Sequence, residues 1–425
     1  MRSLAFGSSG PAVELLQLAL QRAGFGPLEI DGVFGAATRG AVSRFQAVNR
    51  LAVDGIAGPA THRALLPWYT GYVNVRVRRG DSIWALARLY GSSTEAILLA
   101  NPGVQPENLQ IGASLIVPLP FPVVPAELTW SSALVGYCVQ GLSARYPFLL
   151  SGSAGKSVLG KPLWTLRLGQ GGNRVLYHAE HHANEWITTP VLLRFAEELA
   201  AAAAAGEELD GFPAGELLDY ATICLVPAVN PDGMDLVTGE LRTGEAYRAA
   251  RAIAERYPRF PFPDGWKANI RGVDLNLQYP AEWEQARAYK YALGITSPAP
   301  ADYVGQAPLT EPEARAMAEL TERFDPALTL SYHSQGEVIY WQFRDYAPEN
   351  ARSIGELFAR LSGYALAGAP DAPSSAGYKD WVLQDFRRPG YTVEVGLGVN
   401  PLPARDFPAI YQRNRPLLTY AALVT

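Results

Sequence analysis

The sequence predicts an α/β protein: a mixed, largely parallel sheet flanked by helices, preceded by a small three-helix segment and a βααβ unit. Three observations carry that prediction. Short β-rich apolar runs, NRVLYHAE, ATICLVPAV, ALTLSYHS and YTVEVG, recur through residues 126–425 and read as buried strands. Helical segments such as EWITTPVLLRFAEELAAAAAAG and TEPEARAMAELTERF lie between them, and strand alternating with helix implies a sheet covered by helices. The first 118 residues carry two other patterns, each complete in itself.

Residues 1–67 form the first of these. AVELLQLALQRAGF has apolar residues at helical spacing, and DGVFGAATRGAVSRFQAVNRL repeats the pattern after a glycine turn. A second turn, VDGIAGPATHRAL, echoes IDGVFGAATRGAV, so one Asp-Gly turn feeding a helix occurs twice, as an internal duplication would leave it. His62, in the second copy, is expected to be a surface residue. In residues 71–118, VNVRVRR alternates as a strand does, Asp81 or Ser82 can cap the helix IWALARLYG, Thr94 starts a second helix, and LQIGASLIVP reads as a returning strand. PLPFPVVPAEL, with four prolines, is expected to be a stiff extended linker to the large domain, 126–425. In that domain Thr310-x-x-Glu313 has the form of a capping box.

Composition narrows the function. A chain of 425 residues, 48% apolar and 18% charged, is a globular protein of two or three domains. A net charge of −5 without blocks of like charge gives nucleic-acid binding no electrostatic support. No apolar stretch is long enough to span a bilayer, and the first residues lack the pattern of a signal peptide. The expected location is the cell wall or spore, or the cytoplasm. Cys138 and Cys224 are too few for a disulfide framework, and Cys224, in an apolar run, is expected to be buried.

The chain has five histidines, and His178, His181 and His182 fall within five positions. A single histidine is more often a satisfied side chain than a ligand. His182 and Glu185, however, form a His-x-x-Glu pair between a strand and a helix, where both side chains can point at one ion. Zinc accepts imidazole nitrogen and carboxylate oxygen, and catalytic sites keep three protein ligands with one position open. His333 and Glu394 each end an apolar strand-like run, and in such sheets sites lie at the carboxyl ends of the strands.

Residues 1–67 resemble the peptidoglycan-binding-like three-helix module of bacterial wall hydrolases, through Asp-Gly-x-x-Gly-x-x-Thr. Residues 71–118 resemble a LysM domain, through RRGDSIWALARLYG, ANPG and the stretch from Gly112 to Pro118; such domains grip N-acetylglucosamine chains. Residues 126–425 resemble the carboxypeptidase A-like zinc peptidases, through HANEWI, NIRGVDLN, YHS and TVEVG in that family's order. The resemblance implies one zinc per chain on His182, Glu185 and His333, with Glu394 as general base. It implies Arg271 as the oxyanion-stabilising arginine and Asn276 as a substrate-binding residue. It also puts Lys379 at the base of the specificity pocket.

Two departures shape the expected activity. Carboxypeptidases follow the asparagine with an arginine that clasps the substrate's terminal carboxylate, and this chain has Leu277 there, which can form no charge-assisted fork. The family's mobile tyrosine has no clear counterpart: its expected position falls near Ala372, and Tyr378 is out of register. Wall-binding modules ahead of such a variant domain resemble the bacterial γ-D-glutamyl-diamino acid endopeptidases, which implies peptidoglycan glycan strands and stem peptides as partners. The expected reaction is hydrolysis of the γ-D-glutamyl-diaminopimelate bond, with Lys379 meeting the far carboxylate of diaminopimelate. The alternatives are a metallocarboxypeptidase releasing C-terminal residues and a non-catalytic wall-binding protein.

Overall fold

The computed structural model describes residues 2–368 and 375–424, and the chain falls into two compact units, 1–150 and 151–425. Helices Pro11–Arg22, Ala36–Val48 and Pro59–Thr70 open the first unit. Here the duplication in the sequence is a duplication of contacts. Gln17 Nε2 reaches Asp31 Oδ1 at 2.7 Å and the Val33 carbonyl and Thr38 Oγ1 at 3.1 Å each, while its Oε1 accepts from the Gly32 N–H at 3.0 Å. Gln46 repeats all four contacts with Asp54, Ile56, Thr61 and Gly55. In each copy a buried glutamine fastens the Asp-Gly turn to the preceding helix and satisfies its own polar atoms in doing so. His62 is not a surface residue. It is 7% exposed, with Nδ1 2.9 Å from the Tyr69 hydroxyl and Nε2 3.1 Å from the Arg2 carbonyl, and burial pushes its pKa down.

Strands β1 (Tyr72–Arg76) and β2 (Ser114–Pro118) pair antiparallel around helices Ile83–Tyr90 and Thr94–Ala100. Ser82 caps the first helix by accepting from the Ala85 N–H, while Asp81 accepts from the Arg78 N–H instead. Ser93, not Thr94, caps the second. Ile83, Leu86, Ile97, Leu115 and Val117 form the small core. The proline-rich stretch is no free spacer, because Val123 and Val124 between its prolines are buried. Arg145, on helix Ser132–Arg145, donates to the Gly71 and Leu119 carbonyls, so this helix also belongs to the first unit.

The second unit is built on an eight-stranded sheet. Its strands are β3 (Leu150–Lys156), β4 (Pro162–Leu168), β5 (Asn173–Ala179), β8 (Ala221–Val226), β9 (Leu328–His333), β10 (Val338–Tyr340), β11 (Ala365–Ala367) and β12 (Gly390–Glu394). The two-residue strands β6 (Glu208–Leu209) and β7 (Phe212–Pro213) make a separate hairpin. The order is β11-β10-β12-β9-β5-β8-β4-β3. The centre, β8-β5-β9-β12, is parallel throughout, and β4 and β10 flank it antiparallel. Both faces of that centre are covered. Leu176 of β5 joins a core with Met317 and Leu320 of helix Pro312–Phe324, while the hydroxyl of its neighbour Tyr177 donates to the Leu418 carbonyl of helix Phe407–Ala421. Successive side chains of a strand point to opposite faces, and here each face meets a helix. The sheet is the mixed, largely parallel one expected from the sequence.

Strands β3, β4, β10 and β11 carry weaker patterns and were not anticipated. Thr310 and Glu313 do not form a capping box. Helix Pro312–Phe324 has Glu311 at its N-cap without a side-chain cap, because Thr310 bonds Gln278 Oε1 and Glu313 accepts from the Val158 N–H at 3.0 Å. Among the described residues, no helix is long and apolar enough to cross a membrane.

Candidate metal centre

Because β5, β9 and β12 run parallel, their carboxyl ends lie on one edge of the sheet. Glu394 pairs in register with His333, and the Val395 N–H donates to the His333 carbonyl at 2.8 Å. Beyond β5 the chain turns through Glu180, held at a φ of 59° with its carboxylate accepting from the Asn230 N–H. It then enters a single 3₁₀ turn, Ala183–Glu185, capped by His182. A 3₁₀ turn has three residues per turn and eclipses positions i and i+3, so His182 and Glu185 stand on the same side. That local geometry is why a His-x-x-Glu spacing converges here.

His182 Nδ1 lies 2.9 Å from Glu185 Oε1, and His333 Nδ1 lies 2.9 Å from Glu185 Oε2. The two Nδ1 atoms are 3.3 Å apart, and a donor atom from each of the three residues falls within 4.8 Å of the others. Two imidazole nitrogens and a carboxylate, one donor atom from each residue, thus converge on a single point. One cation shared by three lone pairs satisfies all of them, and zinc accepts this donor set. The residues therefore fit the metal. His182 Nε2 faces Asp274 Oδ1 at 3.2 Å, and burial acts against the charged imidazole while Glu185 and Asp274 raise its pKa to about 10. Such a carboxylate orients a ligand histidine and strengthens it as a base.

The neighbouring histidines face elsewhere. His181 Nε2 is 2.8 Å from the Tyr279 hydroxyl and His178 Nε2 is 2.9 Å from Ser331 Oγ, both in the core behind the triad. Tyr378 is buried against them, its ring centroid 4.2 Å from that of His178 and its hydroxyl 2.6 Å from Thr321 Oγ1, so it fills the core. The position near Ala372 lies outside the described residues.

Arg271 is not among the contacts of the triad. Its guanidinium, 56% exposed, reaches Glu311 Oε2 at 3.5 Å. The cation beside the triad is Lys267, whose Nζ lies 3.1 Å from Glu185 Oε1. The Glu185 carboxylate holds the Lys267 pKa above the ordinary range. Sequence reasoning missed Lys267 and Asp274. Both occur in WKANIRGVDLN, the same stretch that holds Arg271, and a charged residue between Trp266 and Ala268, both buried, was a usable signal.

A pocket of about 140 Å³ opens beside the triad, lined by Asn276, Leu277, Tyr340, Lys379, Asp380 and Glu394 among others. Burial, then the nearby Glu185 charge, pushes the Glu394 pKa up to about 8. Asn276 Oδ1 accepts from the Tyr378 N–H at 3.0 Å, which fixes the amide with its NH₂ end as the remaining donor. Leu277 packs against an apolar cluster of Trp283, Ala286, Val304 and Ala376. Lys379 is buried in the pocket wall with its ammonium already paired, 2.6 Å from Asp380 Oδ1.

Comparison with known proteins decides the family. Residues 137–416 match the zinc carboxypeptidase family model. The chain belongs to the zinc carboxypeptidase family. This family member also carries a peptidoglycan binding domain match over residues 9–65 and a LysM domain match over 75–118. It is 42% identical over 392 residues to the γ-D-glutamyl-L-diamino acid endopeptidase 1 of Lysinibacillus sphaericus, covering 80% of this chain and 97% of that protein. Over 63 residues, 14% of this chain and 24% of that protein, it is 54% identical to the zinc D-Ala-D-Ala carboxypeptidase of Streptomyces albus G. Its fold is similar to thrombin-activatable fibrinolysis inhibitor, with a TM-score of 0.55 at 15% identity over 83% of this chain and 97% of that one. The carboxypeptidase A of Helicoverpa armigera superposes with a TM-score of 0.53 at 18% identity over 81% of each chain.

Proposed function

We propose that the protein is a zinc peptidase, with one ion per chain, that cuts the γ-D-glutamyl-diaminopimelate bond of peptidoglycan stem peptides. The observation that carries the reading is Leu277, an apolar residue on the pocket wall where an exopeptidase needs a cation for the substrate's terminal carboxylate. An endopeptidase has no such need, because a residue still follows the cut. The extensive similarity to a γ-D-glutamyl-L-diamino acid endopeptidase supports the same substrate class. The two N-terminal domains support binding to glycan strands and association with the cell wall.

In this reading His182, Glu185 and His333 hold the ion. Zinc polarises a carbonyl and lowers the pKa of water that it binds. Glu394, half-buried and inclined by its surroundings to accept a proton, takes one from the attacking water and returns it to the leaving amine. Lys267 brings a fixed positive charge to the edge of the triad, where charge develops on the carbonyl oxygen. Arg271, the sequence-based candidate for that role, would have to leave Glu311 to take part. Asn276 offers an amide donor on the pocket wall.

Mass spectrometry of purified stem tetrapeptides after digestion tests the reading. The expected products are separated at the glutamyl γ-carbonyl, with D-alanine still joined to diaminopimelate. Release of single C-terminal residues would establish the carboxypeptidase alternative, and intact peptides would establish a binding protein.

A further inference from the structure

A second cavity in the large unit, of about 460 Å³, shares no residue with the one that Glu394 lines. Its size falls within the ~300–1,000 Å³ of small-ligand sites. Helix Gly244–Ala254 and the loop after it supply the walls: Tyr247, Phe260 and Phe262 give ring surface, and Arg251 and Glu255 give polar groups. The three rings are half-buried, and they are anchored. The Phe262 ring centroid lies 5.7 Å from that of Tyr247 and 6.0 Å from that of Trp266. Trp266 is wholly buried and donates its Nε1–H to the Asn269 carbonyl at 3.1 Å. The Gly265 N–H donates to the Pro261 carbonyl at 2.6 Å and the Trp266 N–H to the Pro263 carbonyl at 2.9 Å, which holds the loop in shape. Arg251 Nε donates to Glu255 Oε1 at 3.3 Å, with both side chains more than half exposed. An arginine has five N–H groups and a carboxylate about four acceptor sites, so one such bond leaves both able to meet a ligand.

The loop ties this cavity to the metal centre. It runs on to Asp264, whose carbonyl accepts from Asn184 Nδ2 at 3.0 Å, and to Lys267, whose carbonyl accepts from the Ala183 N–H at 3.0 Å. Asn184 immediately precedes Glu185. Two residues of chain and one hydrogen bond thus put the Phe262 backbone no more than about 20 Å from the Glu185 backbone. In a stem peptide cut at the glutamyl γ-carbonyl, the glutamyl chain, L-alanine and a lactyl ether separate the cut from an N-acetylated sugar. Extended, they reach about 15 Å, so the sugar falls at the distance of this cavity. Ring faces suit it, because the C–H face of a sugar lies against the electron-rich face of an aromatic ring. Its hydroxyl and acetamido groups take the donors of Arg251 and the acceptors of Glu255, and a neutral sugar meets neither with like charge. We propose that the cavity walled by Tyr247, Phe260 and Phe262 holds the muramyl sugar that carries the stem peptide. The catalytic unit thus selects stems still attached to glycan over free peptide fragments. This inference rests on the endopeptidase reading above.

The test measures kcat/KM of the full zinc-loaded chain on two stem tetrapeptides, one with the muramyl sugar on L-alanine and one with an acetyl group in its place. The muramyl peptide is expected to be preferred about 10-fold, through KM rather than kcat, because the sugar is remote from the reacting atoms. The double variant Tyr247→Ser/Phe260→Ser should bring this ratio close to one. Phe260→Leu keeps the apolar volume without the ring face, and it should lower the ratio as well. Phe262 is left in place, because it packs on Trp266 next to Lys267. Sugar binding by the N-terminal domains is common to parent and variants, so it cancels in the comparison. A ratio of one in the parent, or a parent-like ratio in the double variant, would overturn the proposal. Calorimetric titration with muramyl-L-alanyl-D-glutamate and its acetyl counterpart reads the sugar site without any cleavage, and the parent should show a preference that the double variant loses. If that preference holds while neither tetrapeptide is cut at the glutamyl bond, the endopeptidase reading fails and the sugar site stands. Equal binding of the two ligands by the parent would sink the sugar site instead.

Discussion

Lys267 Nζ stands 3.1 Å from Glu185 Oε1, on the carboxylate whose two oxygens also face His182 and His333. Glu185 is therefore shared among two imidazoles and an ammonium. The ammonium thus sets a positive charge directly beside the carboxylate of the triad.

Lys267→Met is expected to lower kcat by about 100- to 1,000-fold, the loss typical of a removed oxyanion donor. Arg271→Met is expected to leave kcat within a factor of about ten. The two variants are compared by steady-state kinetics on one stem peptide. The reverse order of effects would return the role to Arg271.

Metal content separates ligands from their support. His333→Ala should lose zinc and activity together while the first unit stays folded, as read by atomic emission and circular dichroism. Asp274→Asn keeps the ligands but loses the charge facing His182 Nε2, so zinc affinity should fall by about 10- to 100-fold in chelator competition. Retained zinc in His333→Ala would remove that residue from the site. His178→Ala and His181→Ala should keep their metal.

Glu394→Gln should retain zinc and bind substrate but turn over at least about 100-fold more slowly, because the amide is close in shape and cannot take the proton. Normal turnover in this variant would require another base.

Residues 1–150 form a compact unit, so this fragment alone should sediment with insoluble peptidoglycan without degrading it. Co-sedimentation with purified sacculi measures this. A fragment that folds and stays in the supernatant would end the targeting role.

Glu313 gives the large unit a pH signature away from the metal. Burial, the largest influence, raises its pKa from 4.5 to about 7. Below about pH 4.5 the carboxyl is protonated in both folded and unfolded chains and costs nothing. From there to about pH 7 the unfolded chain releases a proton that the fold retains, so stability falls as pH rises, by up to roughly 3 kcal/mol. Glu313→Gln should flatten this slope while keeping an acceptor for the Val158 N–H. Urea midpoints of variant and parent across pH 5 to 8 are compared, and parallel profiles would refute the assignment.

Much of the site was legible because its signals are local. His182 and Glu185 are three residues apart, and one 3₁₀ turn is enough to align them. The Asp-Gly duplication was visible because the same residues recur around each turn, although the glutamines that fasten the turns, Gln17 and Gln46, were not anticipated. Thr310 and Glu313 show the opposite case. Their spacing suits a cap, but Gln278 and Val158, distant along the chain, take the two side chains first.

The amino-acid sequence by itself determined the central strands, the two small N-terminal domains, the His-x-x-Glu pair and the absence of an arginine at Leu277. Periodicity, turn chemistry and spacing are properties of neighbouring residues, and those neighbours are in the sequence. Only the tertiary structure decided which cation meets Glu185, that Asp274 backs His182, that His62 is buried, and that Lys379 lies inside the pocket with its charge already paired. Lys267 and Glu185 are 82 positions apart, and they meet because the loop of Lys267 is tied to the 3₁₀ turn, where the Ala183 N–H donates to the Lys267 carbonyl at 3.0 Å. Several arginines and lysines were open to that place, and packing chose between them.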